Sequence, residues 1–489
     1  MHDQESPENL PDEPVAKSAG ETAYSVLRNA DFSRYLIGRF VASLGQQMLV
    51  AAIDWELYHR TGSALSLAFV GLAIMIPMIL CTLPAGHCAD VFNRKTIILT
   101  ATLALAAASL GLTLASALSL NVTWIYFFLA IIGAARTFLW PASAAFVPGL
   151  VPRNQFARAV TFNSGTFQFS CVVGPAVCGL VILLAHQKAW PVYALNVMAS
   201  IACFALVLPI KHTHQAKSAE PFSARTLIEG FRFVYQSKII LGVITLDLLA
   251  VLLGGSVSLL PIFAKDIFHA SPAGFGWLRA AMSIGAVVCV FVLAHRPPLQ
   301  KAGRAMLWSV TIFGVATILF GLANINCLGQ WLALPGAFWF WFSFAMLALA
   351  GAVDNVSVVV RQTLVQILTP DEKRGRVSAV NSLFIGTSNE LGGFESGVVA
   401  NWFGKAMGHS NATGAIISTV SGGIGQFWWC WPWRGFGRRF GNTESWRDRK
   451  KKHLRITQVY LFPLFFGLLF DRAKVRACRF FFPCWTHNP

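Results

Sequence analysis

The sequence predicts an all-α integral membrane protein built as two parallel six-helix bundles, and three observations predict it. Charge is scarce: 12% of the 489 residues are charged and 55% are hydrophobic, with mean hydropathy +0.57. A soluble domain carries about 25% charged residues, so this chain lacks the polar surface to cover a globule of its length. Long apolar segments recur along the chain, and basic residues collect in alternate connections between them. The second half also repeats the first at a fixed offset.

A lipid-crossing helix needs about 20 mostly apolar residues, because hydrocarbon leaves a bare backbone without partners. Such segments fall at 35–58, 66–86, 96–118, 122–147, 160–185, 190–210, 239–264, 273–294, 305–325, 332–362 and 377–404, and a twelfth starts near Gly414. Alternate connections hold Arg94, Lys95; Arg153, Arg158; Lys211, Lys217, Arg225, Arg232, Lys238; Arg296, Lys301, Arg304; and Lys373, Arg374, Arg376. The others hold Arg60, Lys188, Lys265 and Lys405, a ratio of fifteen to four. Lys and Arg stay on the cytoplasmic side, which puts the first set and the N-terminus inside. The expected organisation is a disordered cytoplasmic tail at 1–33, a first bundle at 34–210, a cytoplasmic central loop at 211–238, a second bundle at 239–426 and an atypical tail at 427–489.

Sliding the second half by 218 positions aligns Gly133 with Gly351, Leu150 with Leu368, Pro152 with Pro370 and Arg158 with Arg376. The same shift aligns Asn163 with Asn381, Ser164 with Ser382, Gly174 with Gly392 and Gly179 with Gly397. Duplicated bundles related by an axis along the membrane normal are a transporter architecture.

The connection at 86–95, "GHCADVFNRK", packs an acid and two bases between two uncharged runs. Gly86 permits close helix approach, Asp90 is placed to cap the third helix, and Arg94 and Lys95 to anchor at the headgroups. The pattern Gly-x3-Asp-x3-Arg-Lys resembles the loop 2–3 signature of the major facilitator superfamily, with Val91 and Asn93 replacing the usual Arg and Gly. "TPDEKRGRVSAVNSLFIGTSNELGGFESG" (369–397), "GPAVCG" (174–179), "DWELYHRTGS" (54–63) and "GGSVSLLPIFAKDI" (254–267) are similar to its enterobactin-exporter-like branch. The resemblance implies a latch at 86–95, proton-linked export of siderophores, drugs or related amphiphiles, a monomer and the bacterial inner membrane. It also implies that the first and fourth spans of each bundle line a central cavity.

Ionisable groups inside a span are expensive and mark functional positions. Arg136, Asp247, Asp354, Arg361, Glu390 and Glu395 qualify, whereas Asp54 and Glu56 lie near the outer end of the first span, where an interfacial position is the competing expectation. Arg136 and Asp354 hold equivalent places under the 218 shift, with opposite charge. Asp354 and Arg361 are seven apart and share a helix face. The expectation is that Asp247 or Asp354 takes up the driving proton; the competing reading is a permanent buried ion pair. Gly174-Pro175 permits a bend in the fifth span, with Gly179 close by. Gly393 and Gly397, four apart, permit close packing of the eleventh. Thr369, Pro370 and Glu372 form a capping box for a short helix.

Past Gln426 the chain reads "FWWCWPWRGFGRRF". Tryptophan has one codon, TGG, so the third-base frame over 427–432 is nearly determined and reads Leu-Val-Val-Leu-Ala, as a twelfth span should. We therefore expect that residues beyond about 426 are translated out of frame, leaving that span truncated or altered. The alternative is a natural tail whose 459–470 segment, "VYLFPLFFGLLF", lies on the membrane.

The net charge of +17 is spread over connections and accompanies no nucleic-acid-binding motif. The ten cysteines include no C-x-x-C pair, and "KHTH" (211–214) lacks further ligands, so neither metal nor cofactor is expected. An embedded enzyme would need a motif such as HExxH, G-x-S-x-G or a phosphate-binding loop, and none is present. The alternative is a non-transporting membrane scaffold or receptor, against which the duplicated bundle and the lack of an appended soluble domain argue, or a transporter left inactive by the shifted frame. The expected partners are lipid, a small-molecule substrate and protons.

Overall fold

In the computed structural model, the described residues are 25–211, 224–295, 302–323, 335–370 and 374–439. They form helices without strands. The first bundle comprises α1 (Ala30–Thr61), α2 (Ala64–Val91), α3 (Arg94–Ala117), α4 (Thr123–Phe146), α5 (Phe156–Leu184) and α6 (Trp190–Val207). An amphipathic helix, α7 (Ala224–Gln236), precedes the second bundle. That bundle comprises α8 (Lys238–Leu253), α9 (Pro272–Ala294), α10 (Ala302–Leu322), α11 (Gly336–Leu368), α12 (Arg374–Asn401) and α13 (Asn411–Arg439). Between α8 and α9 the path continues through a 3-10 turn at Gly255–Leu259 and a wide turn at Phe263–Ile267. Among the described residues ten helical stretches are long and apolar enough to cross a membrane. α12 and α13, at 28 and 29 residues, are as long but less apolar.

The 218 offset is a structural relation. It carries the first residue of α5, Phe156, onto the first residue of α12, Arg374. The paired glycines do equivalent jobs. A side chain at Gly133 would collide with the Ile74 carbonyl of α2, and one at Gly351 with the Met282 carbonyl of α9. Gly174 packs on Leu44 and Gln47 of α1, as Gly392 packs on Val251 and Leu252 of α8. Gly179 meets Pro272 and Gly276 of α9, as Gly397 meets Ala64 and Ala68 of α2. The last two contacts cross between bundles, giving two symmetric seams, α5 on α9 and α2 on α12.

Both seams concentrate toward the end where α1 finishes and α2 begins, here called the far end; the basic end holds the α2–α3 turn. Residues 175–179 meet 272–276, and Gly71 meets the Glu390 carbonyl. Asn411 Nδ2 donates to the Gly62 carbonyl at 2.6 Å, and Trp55 lies against Phe275 at 5.3 Å between ring centres. The main apolar core joins the first bundle to Leu259, Phe263, Phe275, Phe320 and Val420, all in the far half of the second bundle. Toward the basic end the second bundle keeps separate cores, around Ile244, Val365 and Val377 and around Leu246, Met306 and Val360. The bundles thus meet at the far end and part toward the basic end.

Several expectations need correction. Residues 25–33 are not tail: Val26 is fully buried, Arg158 Nη1 donates to Ser25 Oγ at 3.0 Å, and Asn29 Nδ2 donates to the Leu150 carbonyl at 2.7 Å. The central loop contains α7, with Val234 buried against Ile240 and Val380. α2 runs to Val91, so Gly86 and Asp90 lie in its last turns, and the cap of α3 is Asn93, which accepts from Lys95 N at 2.9 Å. Immediately before α3, Asn93 has the extended backbone that a cap requires, whereas Asp90 is still helical. Arg94 donates to the Ala145 carbonyl at 3.0 Å and Lys95 to the Leu208 carbonyl at 2.7 Å, so both bind ends of their own bundle. Gly393 has only Ser258 side-chain atoms at 3.5 Å or beyond; its neighbour Gly392 makes the tight contact. Thr369 is the C-cap of α11; Glu372, like His212 and His214, lies outside the described residues. α13 stays helical past Gln426 to Arg439, with Trp429 packed beside the Leu246 and Met306 core. The segment 459–470 is outside the described residues.

Gly276→Leu, at a seam, is expected to cost about 1–3 kcal/mol through overpacking, read as a lower thermal-unfolding midpoint of detergent-solubilised protein. Gly393→Ala, which adds a methyl where there is room, should leave that midpoint unchanged.

Candidate functional site

The ionisable residues of the spans fall into three groups at different depths. The first bridges the bundles near the far end. Asp54 on α1 is buried, not interfacial, and its Oδ2 accepts from Arg279 Nη1 of α9. Seven residues separate Asp54 from the end of α1 and Arg279 from the start of α9, about 10 Å at 1.5 Å per residue. One turn further out, Tyr58 donates to Asp266 of the second bundle, and the Lys265 ammonium sits 5.7 Å above the Tyr58 ring. Glu56, on another face of α1, is held inside its own bundle by Arg60 at 3.1 Å and Tyr193 at 2.7 Å.

The second group lies further from the far end. Glu390 on α12 is half-buried, and its carbonyl abuts Gly71 of α2. Arg136 on α4 is exposed, one turn beyond Gly133, which abuts Ile74 of the same α2. α2 therefore sets both residues at neighbouring levels on either side of itself. Among the described residues no hydrogen bond or ion pair joins Glu390 to Arg136 or Arg279.

The third group belongs to the second bundle alone. Asp247 of α8 and Arg361 of α11, each about 3% exposed, form an ion pair nearer the basic end. Ser357 Oγ adds a hydrogen bond to Asp247 at 3.4 Å. Arg361 thus serves α8, although it shares a helix face with Asp354. Asp354 is half-buried, and among the described residues no donor or cation bonds its carboxyl. On α11 it sits between the face carrying Ser357 and Arg361 toward α8 and the face carrying Gly351 and Asn355 toward α9. That position fronts the gap between the first two helices of the bundle. No group of three or more His, Cys, Asp or Glu among the described residues could hold a metal ion.

Arg279 is not among the residues read from the sequence, although the criterion that singles out Arg136 applies to it: a lone charge within the apolar run 273–294. Asp266 and Asn411 sit at helix ends, where composition gives no signal.

Two like-oriented six-helix bundles, seamed at one end and lined with acids and bases, define a membrane transporter of the major facilitator superfamily. The chain belongs to the transmembrane secretion effector family, whose model matches residues 21–422. It is 25% identical over 361 residues to enterobactin exporter EntS of Escherichia coli O1:K1 / APEC, covering 71% of this chain and 80% of that protein. It is 26% identical over 298 residues to macrolide efflux protein A of Streptococcus pyogenes, covering 58% of this chain and 71% of that protein. The fold is similar to nucleoside transporter NupG in its D323A mutant form, with TM-score 0.62 at 13% identity, covering 82% of this chain and 98% of that one. It is equally similar to a bacterial homologue of the human lysosomal transporter Spinster in an inward-facing, occupied conformation, with TM-score 0.62, 13% identity and coverage of 86% and 98%.

Removing one member of a buried ion pair leaves an uncompensated charge, at about 3–5 kcal/mol, whereas replacing both by apolar residues is near neutral. Arg361→Leu alone should therefore sharply reduce the yield of folded protein, and Asp247→Leu with Arg361→Met should restore it. Size-exclusion profiles and thermal midpoints of the purified variants check this.

Proposed function

We propose that this transporter is a proton-coupled exporter of small amphiphilic molecules, siderophore-like or drug-like, working by alternating access as a monomer in the bacterial inner membrane. The observation that carries the reading is the pair of like-oriented bundles packed most closely toward the far end, with an unbonded carboxyl, Asp354, within the span α11. The basic end is cytoplasmic under the positive-inside rule, with the N-terminus on that side, so the cleft opens inward, ready for substrate from the cell. Export is favoured by two relatives, one named for macrolide efflux and one for enterobactin export.

Within this reading Asp354 carries the proton rather than Asp247. A carboxyl committed to Arg361 and Ser357 holds two helices together, whereas one without a bonded partner is free to exchange a proton with the cleft. The loop 2–3 latch belongs to the outward-facing state, since here Arg94 and Lys95 are engaged within their own bundle. We also propose that the chain past about residue 426 is out of frame, which resequencing the DNA across that codon decides.

Everted vesicles energised so that their lumen is acid should accumulate a macrolide or enterobactin in exchange for protons leaving the lumen, and an uncoupler should abolish this. Asp354→Asn should reduce gradient-driven accumulation to the level of empty vesicles while sparing substrate exchange at zero gradient. Gradient-driven accumulation persisting in Asp354→Asn would remove Asp354 from the coupling mechanism.

A further inference from the structure

The wall that the first bundle presents to the cleft is basic, and its bases have no protein partners. Arg39 lies within the first apolar run and Arg136 within the fourth. Arg39 is half-buried and Arg136 exposed, and among the described residues neither makes a hydrogen bond or an ion pair. Arg94 and Lys95, by contrast, are engaged on helix-end carbonyls. A guanidinium held within a span without a partner is expensive and marks a functional position.

Helix geometry turns both arginines to the cleft, since one residue adds about 100° of rotation and 1.5 Å of rise. On α1, Arg39 stands about 40° from Tyr35, whose ring lies against Phe146 of α4. It stands about 80° the other way from Gln47, which donates to Cys171 of α5. Gly38, beyond Tyr35, packs on Cys203 of α6 behind. On α4, Arg136 stands about 60° from Gly133, which meets α2, and about 80° the other way from Phe146, which meets α1. Each arginine thus looks out between two neighbours that border the cleft. Trp140, one turn from Arg136, is 63% exposed, and among the described residues no ring or cation covers it. Measured from the Tyr35–Phe146 contact toward the far end, Arg39 is about 6 Å up, Trp140 about 9 Å and Arg136 about 15 Å. The indole therefore stands between the two bases in height. Gln46, level with Arg136 on α1, keeps both amide atoms without a hydrogen bond, so the polar groups of this wall are not consumed in holding helices together.

An indole flanked by two uncommitted guanidiniums is complementary to a flat ring that carries an acid. We propose that Arg39, Trp140 and Arg136 form the substrate-binding wall of the cleft, and that the substrate is an aromatic amphiphile bearing an anion such as a carboxylate. The ring stacks on Trp140, and the arginines hold the acid through charge-assisted hydrogen bonds. Asp354 and Glu390 belong to the second bundle, and among the described residues no ion pair joins either to Arg39 or Arg136. The anion therefore has bases of its own, and Asp354 is left to the proton. A cationic amphiphile would meet like charge on this wall. The inference rests on the exporter reading, which makes the cleft a substrate path, and it narrows the substrate class to acids.

Its test reads binding without a gradient. Equilibrium dialysis of the full chain in phosphatidylcholine nanodiscs, with empty nanodiscs subtracted, compares three probes of one shape: naphthoate, naphthamide and naphthylmethylammonium. Naphthoate should bind about tenfold more tightly than naphthamide, the scale of one hydrogen bond to a charged group, and the ammonium more weakly than either. Arg39→Gln and Arg136→Gln should each cut naphthoate affinity about tenfold and leave naphthamide unchanged. Arg39→Lys and Arg136→Lys should retain part of the preference. Trp140→Ala should weaken naphthoate and naphthamide alike, because it removes the platform and not the charge. Equal affinity for the three probes overturns the inference, as does unmoved naphthoate affinity in either glutamine variant, the result expected of an arginine that only anchors at headgroups. Naphthoate binding that vanishes in nanodiscs enriched in phosphatidylglycerol also overturns it, since the wall then holds a lipid headgroup. Wild-type size-exclusion profiles certify that each variant is folded; should Arg136→Gln fail that check, Arg39→Gln and the preference of the unaltered protein still decide. Vesicles that accumulate substrate, with no preference for the anion in dialysis, sink this inference and leave the exporter reading. The preference without accumulation does the reverse.

Discussion

Two seams where helix backbones touch, with glycine on one side and a carbonyl oxygen on the other, are the constraint on which this molecule depends. Lipid tails are as apolar as leucine, so the hydrophobic effect cannot press membrane helices together. What remains is close packing, assisted by weak Cα–H···O contacts that only small residues permit. Gly179 and Gly276 supply that approach between α5 and α9, and Gly71 and Gly397 between α2 and α12. Because the two seams are related by the internal repeat and lie toward one end, the bundles are joined like the halves of a clamp. Toward the basic end the contact thins to side chains, Met78 of α2 reaching Gly386 of α12.

The architecture was legible because membranes impose simple rules on composition. Segment positions follow from backbone satisfaction in hydrocarbon, and the like orientation of the halves follows from where Lys and Arg collect. The 218 repeat survives in glycines and loop residues because those positions have steric jobs that few residues can do. Helix ends were less legible. α2 continues to Val91, past the apolar run ending at 86, because a helix does not stop where the oil stops. Asp90 and Asn93 are both good caps, and only the backbone shows which one stands outside the helix. Gly392 and Gly393 are adjacent, and one residue of rotation decides which meets α8.

The site was legible residue by residue but not pair by pair. A charge in an apolar run announces itself, which brought out Asp247, Asp354, Arg136, Arg361 and Glu390. Its partner comes from another helix, at a distance along the chain that spacing does not encode. Arg361 shares a face with Asp354, yet it turns to Asp247 because α8 packs on that side of α11. Asp54 looked interfacial from its place near a helix end, yet it is buried because α9 lays Arg279 across it.

The Asp247–Arg361 pair also bears on how the chain is made. Synthesis delivers α8 to the membrane well before α11 exists, so a bare carboxylate would enter hydrocarbon with its counter-charge still on the ribosome. α8 therefore settles in lipid only with α11 beside it. The second bundle then matures as one unit, its helices committed to lipid together and not in succession.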